Sequence, residues 1–136
     1  MHSVTSDPES SPVLLAVNGT LMRGLELNPN LLHAGATFVR EARTEPVYRL
    51  WSIADRHPAM IRVLPPDRGI GVAVEVWSVP RAGIAGILLQ EPPGLCIGKV
   101  RLDDNTEVLG VLGEPALCAG HREITSFGGW RAYLAG

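Results

Sequence analysis

The sequence is short of the residues that mark several protein classes. It has only two cysteines, Cys96 and Cys118, both among apolar residues. That excludes a disulfide framework and a cysteine-based metal site, and predicts two buried free thiols. It has one lysine, Lys99, against eleven arginines, and a formal net charge of −2. This balance gives no basic footprint for nucleic acid or for an anionic membrane surface. The longest uncharged apolar run, Ala82 to Leu89, is far too short to span a bilayer. No basic stretch followed by an apolar run opens the chain, so no secretory signal is read and a cytoplasmic location is expected. No motif calls for a cofactor or a metal ion.

What is present suits one small domain. The 136 residues are 46% hydrophobic, enough for a packed core. Residues 1–12 are polar with two prolines, and read as a flexible tail or linker; residues 13–136 read as the domain. Apolar runs and alternation predict strands at Val13–Val17, Ala36–Arg43, Val47–Ile53, Met60–Leu64 and Gly71–Val79. In the last of these, Val72, Val74 and Val76 share one face, and Ala73, Glu75, Trp77 and Val79 the other. Residues 18–30 hold two glycines and three asparagines and read as loop. Arg81 to Gln90, after Pro80 and before Pro92-Pro93, has helical spacing. Ile97–Leu102 and Glu107–Leu112 flank a four-residue turn, a hairpin pattern. Six or seven short strands with one or two short helices predict an α+β fold with a mixed, barrel-like sheet. Open strand edges on such a sheet leave a homodimer available.

Candidate site residues follow from residue type and place. Loop 18–24 leaves an apolar strand and is rich in small residues, so Asn18, Gly19, Thr20 and Leu21 are candidates to present backbone N–H groups to an anion. Glu75 in mid-strand would titrate high if buried alone, or be held ionised if an arginine meets it. Tyr48 and Arg49 offer a hydroxyl and a charge. Arg131, after Gly128-Gly129-Trp130, either aims at a substrate carboxylate or clasps the C-terminus to the body while Trp130 and Tyr133 are buried. His33 and His121 read as surface residues. The first turn and the final aromatic segment are expected to close over one shared polar cavity.

Three stretches, in order, carry a resemblance. They are Val17-Asn18-Gly19-Thr20-Leu21-Met22-Arg23-Gly24-Leu25-Glu26-Leu27-Asn28, then Gly35-Ala36-Thr37-Phe38-Val39 with Arg43-Thr44 and Tyr48-Arg49-Leu50, then Ile124 through Leu134 with Gly128-Gly129-Trp130-Arg131 at its centre. Glu75-Val76-Trp77 and Leu95 through Val100 add weaker matches. Together they resemble the C-terminal domain of allophanate hydrolase, within the γ-glutamylcyclotransferase fold. The resemblance implies a small carboxylated amide or carbamate as ligand, and N-carboxycarbamate decarboxylation in urea breakdown as the reaction. It also implies a histidine in the first loop, where this chain has Leu21. The four histidines, His2, His33, His57 and His121, lie elsewhere. The Ser-Ser-Lys core of an amidase is not found; Ser10-Ser11 has no lysine near it. Two other readings stay open. One is a γ-glutamylcyclotransferase releasing 5-oxoproline, with Glu91 or Glu75 as base. The other is a non-catalytic module that pairs with a separate amidase.

Overall fold

The computed structural model describes residues 11–136. The segment read as a tail therefore lies, over residues 1–10, outside the described residues. Five strands form the larger sheet: β1 (Val13–Val17), β2 (Thr37–Arg43), β5 (Ala73–Val79), β6 (Leu95–Arg101) and β7 (Glu107–Gly113), in the order β2-β5-β1-β7-β6. β1 is central, antiparallel to β5 and parallel to β7. The smaller sheet, in the order β4-β3-β8, has β3 (Tyr48–Ile53), β4 (His57–Arg62) and β8 (Arg122–Glu123).

The α+β class holds, with one correction. Among the described residues the strands make two sheets and no closed barrel: β2 and β6 are the outer strands of the larger sheet, and only the single bridge Thr44–Leu102 joins their ends. Among the described residues there are also more short helices than the sequence suggests. They are α1 (Asn28–His33), α2 (Arg81–Gln90), α3 (Pro115–Cys118) and α4 (Trp130–Ala135), with a 3₁₀ turn at Thr125–Phe127. α1 and α3 each place a proline in their first turn, where its missing N–H costs nothing. The asparagine-rich stretch that reads as loop therefore turns helical at its end.

The main core is built from β1, β3, β4, β5 and the helices, with Leu15, Val17, Leu50, Met60, Trp77, Ile87 and Trp130 all buried. β5 feeds two clusters, as the alternation within Ala73–Val79 predicts, although Val72, expected beside Val74 and Val76, lies before the strand and packs in the main core. Trp77 and Val79 enter the main core, while Val74 and Val76 pack with Ala16, Leu102 and Val108. A strand apolar on both faces must be interior, and β5 lies between β1 and β2. Cys96 and Cys118 are free thiols, and burial pushes Cys118 up to about 11.

Candidate active site

β1 ends at Val17 in the middle of the larger sheet, so the loop after it emerges beside β7 and β4. Three bonds fix the loop's carbonyl groups. Gly19 O accepts from Met22 N at 3.0 Å, and Thr20 O from Leu27 N at 2.9 Å. Leu21 O accepts from Asn28 Nδ2 at 2.8 Å. Asn18 anchors the start of the loop by donating Nδ2 to Val111 O at 3.0 Å. The amides of Gly19, Thr20 and Leu21, by contrast, donate to nothing among the described residues. Three successive N–H groups with no partner make a local concentration of positive partial charge.

These residues line a narrow cleft of about 20 Å³ together with His57, Pro58 and Glu91. Gly19 is packed so closely on Pro58 that a Cβ there would lie 2.5 Å from Pro58 Cδ. Glu91 follows the last turn of α2, where Pro92-Pro93 stop the helix. Its carboxyl has no hydrogen-bond or ion-pair partner among the described residues, and burial pushes it up to about 7. Its position at a helix C-terminus acts in the same direction. The cleft thus combines three free donors with an acid that keeps its proton near neutrality.

Glu75 has the opposite surroundings. It pairs with Val17 across β1 and with Glu41 across β2, so it sits beside the end of the loop. Its Oε1 accepts from Arg23 N at 2.9 Å and from Trp77 Nε1 at 3.2 Å. Its Oε2 accepts from Arg131 Nη2 at 3.0 Å and from Arg23 Nε at 3.2 Å. Burial alone would raise its pKa, but the Arg23 amide, the Arg131 guanidinium, the Trp77 indole and the Arg23 guanidinium outweigh it, and Glu75 titrates below its ordinary range. The reading of Glu75 as a high-titrating buried acid is therefore corrected: two arginines, Arg23 of the loop and Arg131 of α4, hold it ionised. Its side chain is 3% exposed, while those of Arg23 and Arg131 are 44% and 49% exposed and keep their heads in water.

The remaining candidates fall in separate places. Arg131 makes the clasp: besides Glu75, it donates to Arg23 O at 2.7 Å and so ties α4 to the loop. Trp130 is buried beneath it. Tyr48 is fully buried, lines none of the clefts described here, and leaves its hydroxyl without a hydrogen bond. Burial raises its pKa. Arg49 lies in a shallow hollow with Arg68 and Glu123 and donates to Arg68 O at 2.7 Å. His33 and His121 are exposed, as expected.

The single shared cavity is also corrected. Gly19 lines the narrow cleft, whereas Trp130 lines a separate groove of about 590 Å³ with Arg43, Glu75 and Arg131. The two ends meet through Arg131 and Arg23 without enclosing one space. The groove is larger, but Glu75 and Arg131 in it satisfy each other, whereas Gly19, Thr20, Leu21 and Glu91, whose amides or carboxyl have no partner among the described residues, line the cleft. His57 is the residue of the cleft that spacing did not single out. It follows a tight turn with Ala54 and Asp55 at positive φ, and only the fold carries it to the loop.

Residues 13–135 match the family model of the allophanate hydrolase C-terminal domain. The chain belongs to that family. A urea amidolyase from Saccharomyces cerevisiae is 30% identical over 94% of this chain, which spans only 7% of that protein's length. Among solved structures, a protein specific to uropathogenic E. coli superposes with a TM-score of 0.89 at 59% identity, covering 92% of this chain and 97% of that one. The allophanate hydrolase of Kluyveromyces lactis superposes with a TM-score of 0.84 at 29% identity, covering 91% of this chain and 21% of that one. A mouse AIG2-like protein, 17% identical with a TM-score of 0.58 over 81% of each chain, shares the fold alone. For this allophanate hydrolase C-terminal domain, no described helix is long and apolar enough to cross a membrane, and no described cluster of side chains suits a metal ion.

Proposed function

We propose that the domain takes a small carboxylated amide or carbamate into the cleft and protonates it, the reaction being decarboxylation of an N-carboxycarbamate in urea and allophanate breakdown. One observation carries the reading: the free amides of Gly19, Thr20 and Leu21 share a cleft with Glu91, whose carboxyl stays protonated up to about pH 7. The amides receive one carboxylate of the substrate by charge-assisted hydrogen bonds. Glu91 gives its proton to the substrate nitrogen as the other C–N bond breaks. The bonding pair stays on nitrogen, carbon dioxide leaves, and carbamate and the Glu91 carboxylate remain. Glu75, Arg23 and Arg131 hold the far end of the loop in place rather than meet substrate, and Tyr48 and Arg49 take no part. Membership of the family and the likeness to urea amidolyase and allophanate hydrolase support the substrate class, and a separate amidase is the natural source of that substrate. The cyclotransferase reading ranks below this one, because the family match is to the allophanate hydrolase C-terminal domain and the likeness to the mouse AIG2-like protein is one of fold alone.

The test is calorimetry with malonate, a compact dicarboxylate of the same span. Binding should be accompanied by shifts in the amide resonances of Gly19, Thr20 and Leu21. Its proton linkage, read in buffers of different ionisation enthalpy, should vanish in Glu91→Gln. Absence of heat and of amide shifts with malonate would overturn the proposal.

A further inference from the structure

We infer that Tyr133 is a positioning residue of the cleft: its hydroxyl holds Asp55, and with it the turn between β3 and β4 that sets the cleft's β4 wall. The inference rests on reading the cleft as the site. His57 and Pro58 open β4 and line the cleft with Gly19, Thr20 and Leu21. Gly19 packs directly on Pro58. Where residues 54–56 sit therefore decides where that wall stands. Their backbone is unfavourable for the sequence. Ala54 and Asp55 have φ of 53° and 59°, in the left-handed region, which aspartate tolerates better than alanine. Such a backbone persists where its surroundings hold it.

Three side-chain hydrogen bonds hold it. Asp55 N donates to Ser52 Oγ at 3.1 Å, Ser52 Oγ donates to Asp55 Oδ1 at 2.7 Å, and Tyr133 Oη donates to the same Oδ1. The first two lie within the hairpin. The third comes from 78 residues away. The Tyr133 ring is itself fixed, with Phe127 and Trp130 at centroid distances of 5.1 and 5.5 Å and Arg122 Cζ 5.4 Å from its centroid. The Tyr133 hydroxyl, then Ser52 and Arg122, hold the Asp55 carboxyl below its ordinary range against the effect of burial. Side chains two apart on a helix leave it about 200° apart, so Arg131 and Tyr133 reach different parts of the molecule from α4. Arg131 bonds Arg23 O in the first loop, and Tyr133 bonds Asp55 ahead of β4. One short helix thus braces both the loop and the strand that line the cleft.

The test is malonate calorimetry with amide and carboxyl spectroscopy on Tyr133→Phe in the full chain. Phenylalanine keeps the ring packing and removes only the hydroxyl. Malonate affinity should fall about threefold to tenfold, the size of one hydrogen bond. The amides of His57 and Ala59 should shift while that of Arg23 stays, and the Asp55 carboxyl should titrate higher than in the unaltered chain. Asp55→Gly removes the acceptor and suits the left-handed backbone. Adding Tyr133→Phe to it should cost little further affinity, because the two changes break one contact. Unchanged malonate affinity in Tyr133→Phe, or an equal further loss on top of Asp55→Gly, would overturn the inference and leave the cleft reading standing. If the unaltered chain binds no malonate, the cleft reading goes. Shifts at His57 and Ala59 in Tyr133→Phe would then still show that Tyr133 sets that wall, and unmoved amides there would remove the inference as well.

Discussion

Glu75 and Glu91 are both carboxylates withdrawn from water, and the chain treats them in opposite ways. Glu75 sits mid-strand and accepts four hydrogen bonds, three of them from two arginines. Glu91 sits past a helix end, its carboxyl without a partner among the described residues. Burial pushes both up, but only at Glu75 is it overcome by donors. The difference teaches which of two buried acids is free for chemistry. One whose lone pairs are filled is structural, and one whose proton has nowhere to go is reactive. Glu75 also shows how a buried charge is tolerated, since its partners keep their own heads hydrated and the desolvation cost falls mainly on one group.

The largest effect should come from Glu75→Ala. It strands the Arg23 amide and the Trp77 indole and leaves the Arg131 bond to Arg23 O as the remaining tie between the loop and α4. Removing one partner of a buried pair costs about 3–5 kcal/mol; the half-exposed arginines favour the lower figure, about 3 kcal/mol. Urea denaturation measures it. If stability were unchanged while malonate binding vanished, the roles of the two acids would be reversed.

The second effect is a difference in pH slope. A lowered folded pKa means that the stability due to Glu75 is present above its ordinary value of 4.5 and is lost as pH falls through the folded value. Glu91 works the other way. Between 4.5 and about 7 the folded chain holds a proton that the unfolded chain has released, so stability falls as pH rises across that window. The fall amounts to roughly 3 kcal/mol and then levels off. Glu91→Gln should flatten this limb and leave the acid limb alone, as denaturation at a series of pH values would show. A steep limb that survives in Glu91→Gln would assign it to another group.

Gly19→Ala should follow in size. The new Cβ would lie 2.5 Å from Pro58 Cδ and 2.8 Å from Cγ, so the loop must lift off β4. Overpacking of this kind costs about 1–3 kcal/mol. The expected signature is loss of malonate binding with the acid limb due to Glu75 intact, since Arg23 reaches Glu75 from the far end of the loop. Retained binding would show that the Gly19 contact does not shape the cleft.

Much of this fold is legible in the chain, and the reasons are local. β1, α2 and the hairpin of β6 and β7 follow from apolar runs, proline stops and a turn-rich tetrapeptide, which act within a few residues. The alternation along β5 anticipates its two clusters. The fate of Glu75 is not legible, because Arg23 and Arg131 are 52 and 56 residues away and no spacing rule joins them. Glu91 could be placed by resemblance, but its raised pKa depends on packing. His57 carries no signal beyond being a histidine before a short strand. The split between cleft and groove is likewise a product of tertiary packing: the first loop and the final aromatic segment touch through one arginine and open onto different spaces.

Asn18→Ala should give the smallest change in stability and the most selective change in function. Asn18 is 4% exposed, and its Nδ2 bond to Val111 O is its one strong anchor, the contact with Met60 Sδ at 3.9 Å being weak. Losing it costs about 1 kcal/mol, because Val111 O is left without that donor. None of the four bonds to Glu75 involves Asn18, so the clasp at Arg131 and the acid limb should not change. The carbonyl bonds of Gly19, Thr20 and Leu21 also remain, so the loop keeps its turn while its first residue loosens. Malonate affinity should then fall roughly threefold to tenfold, out of proportion to the stability lost. A loss of stability with no loss of affinity would mean that the amide row does not depend on its first anchor, and that the turn bonds alone aim it into the cleft.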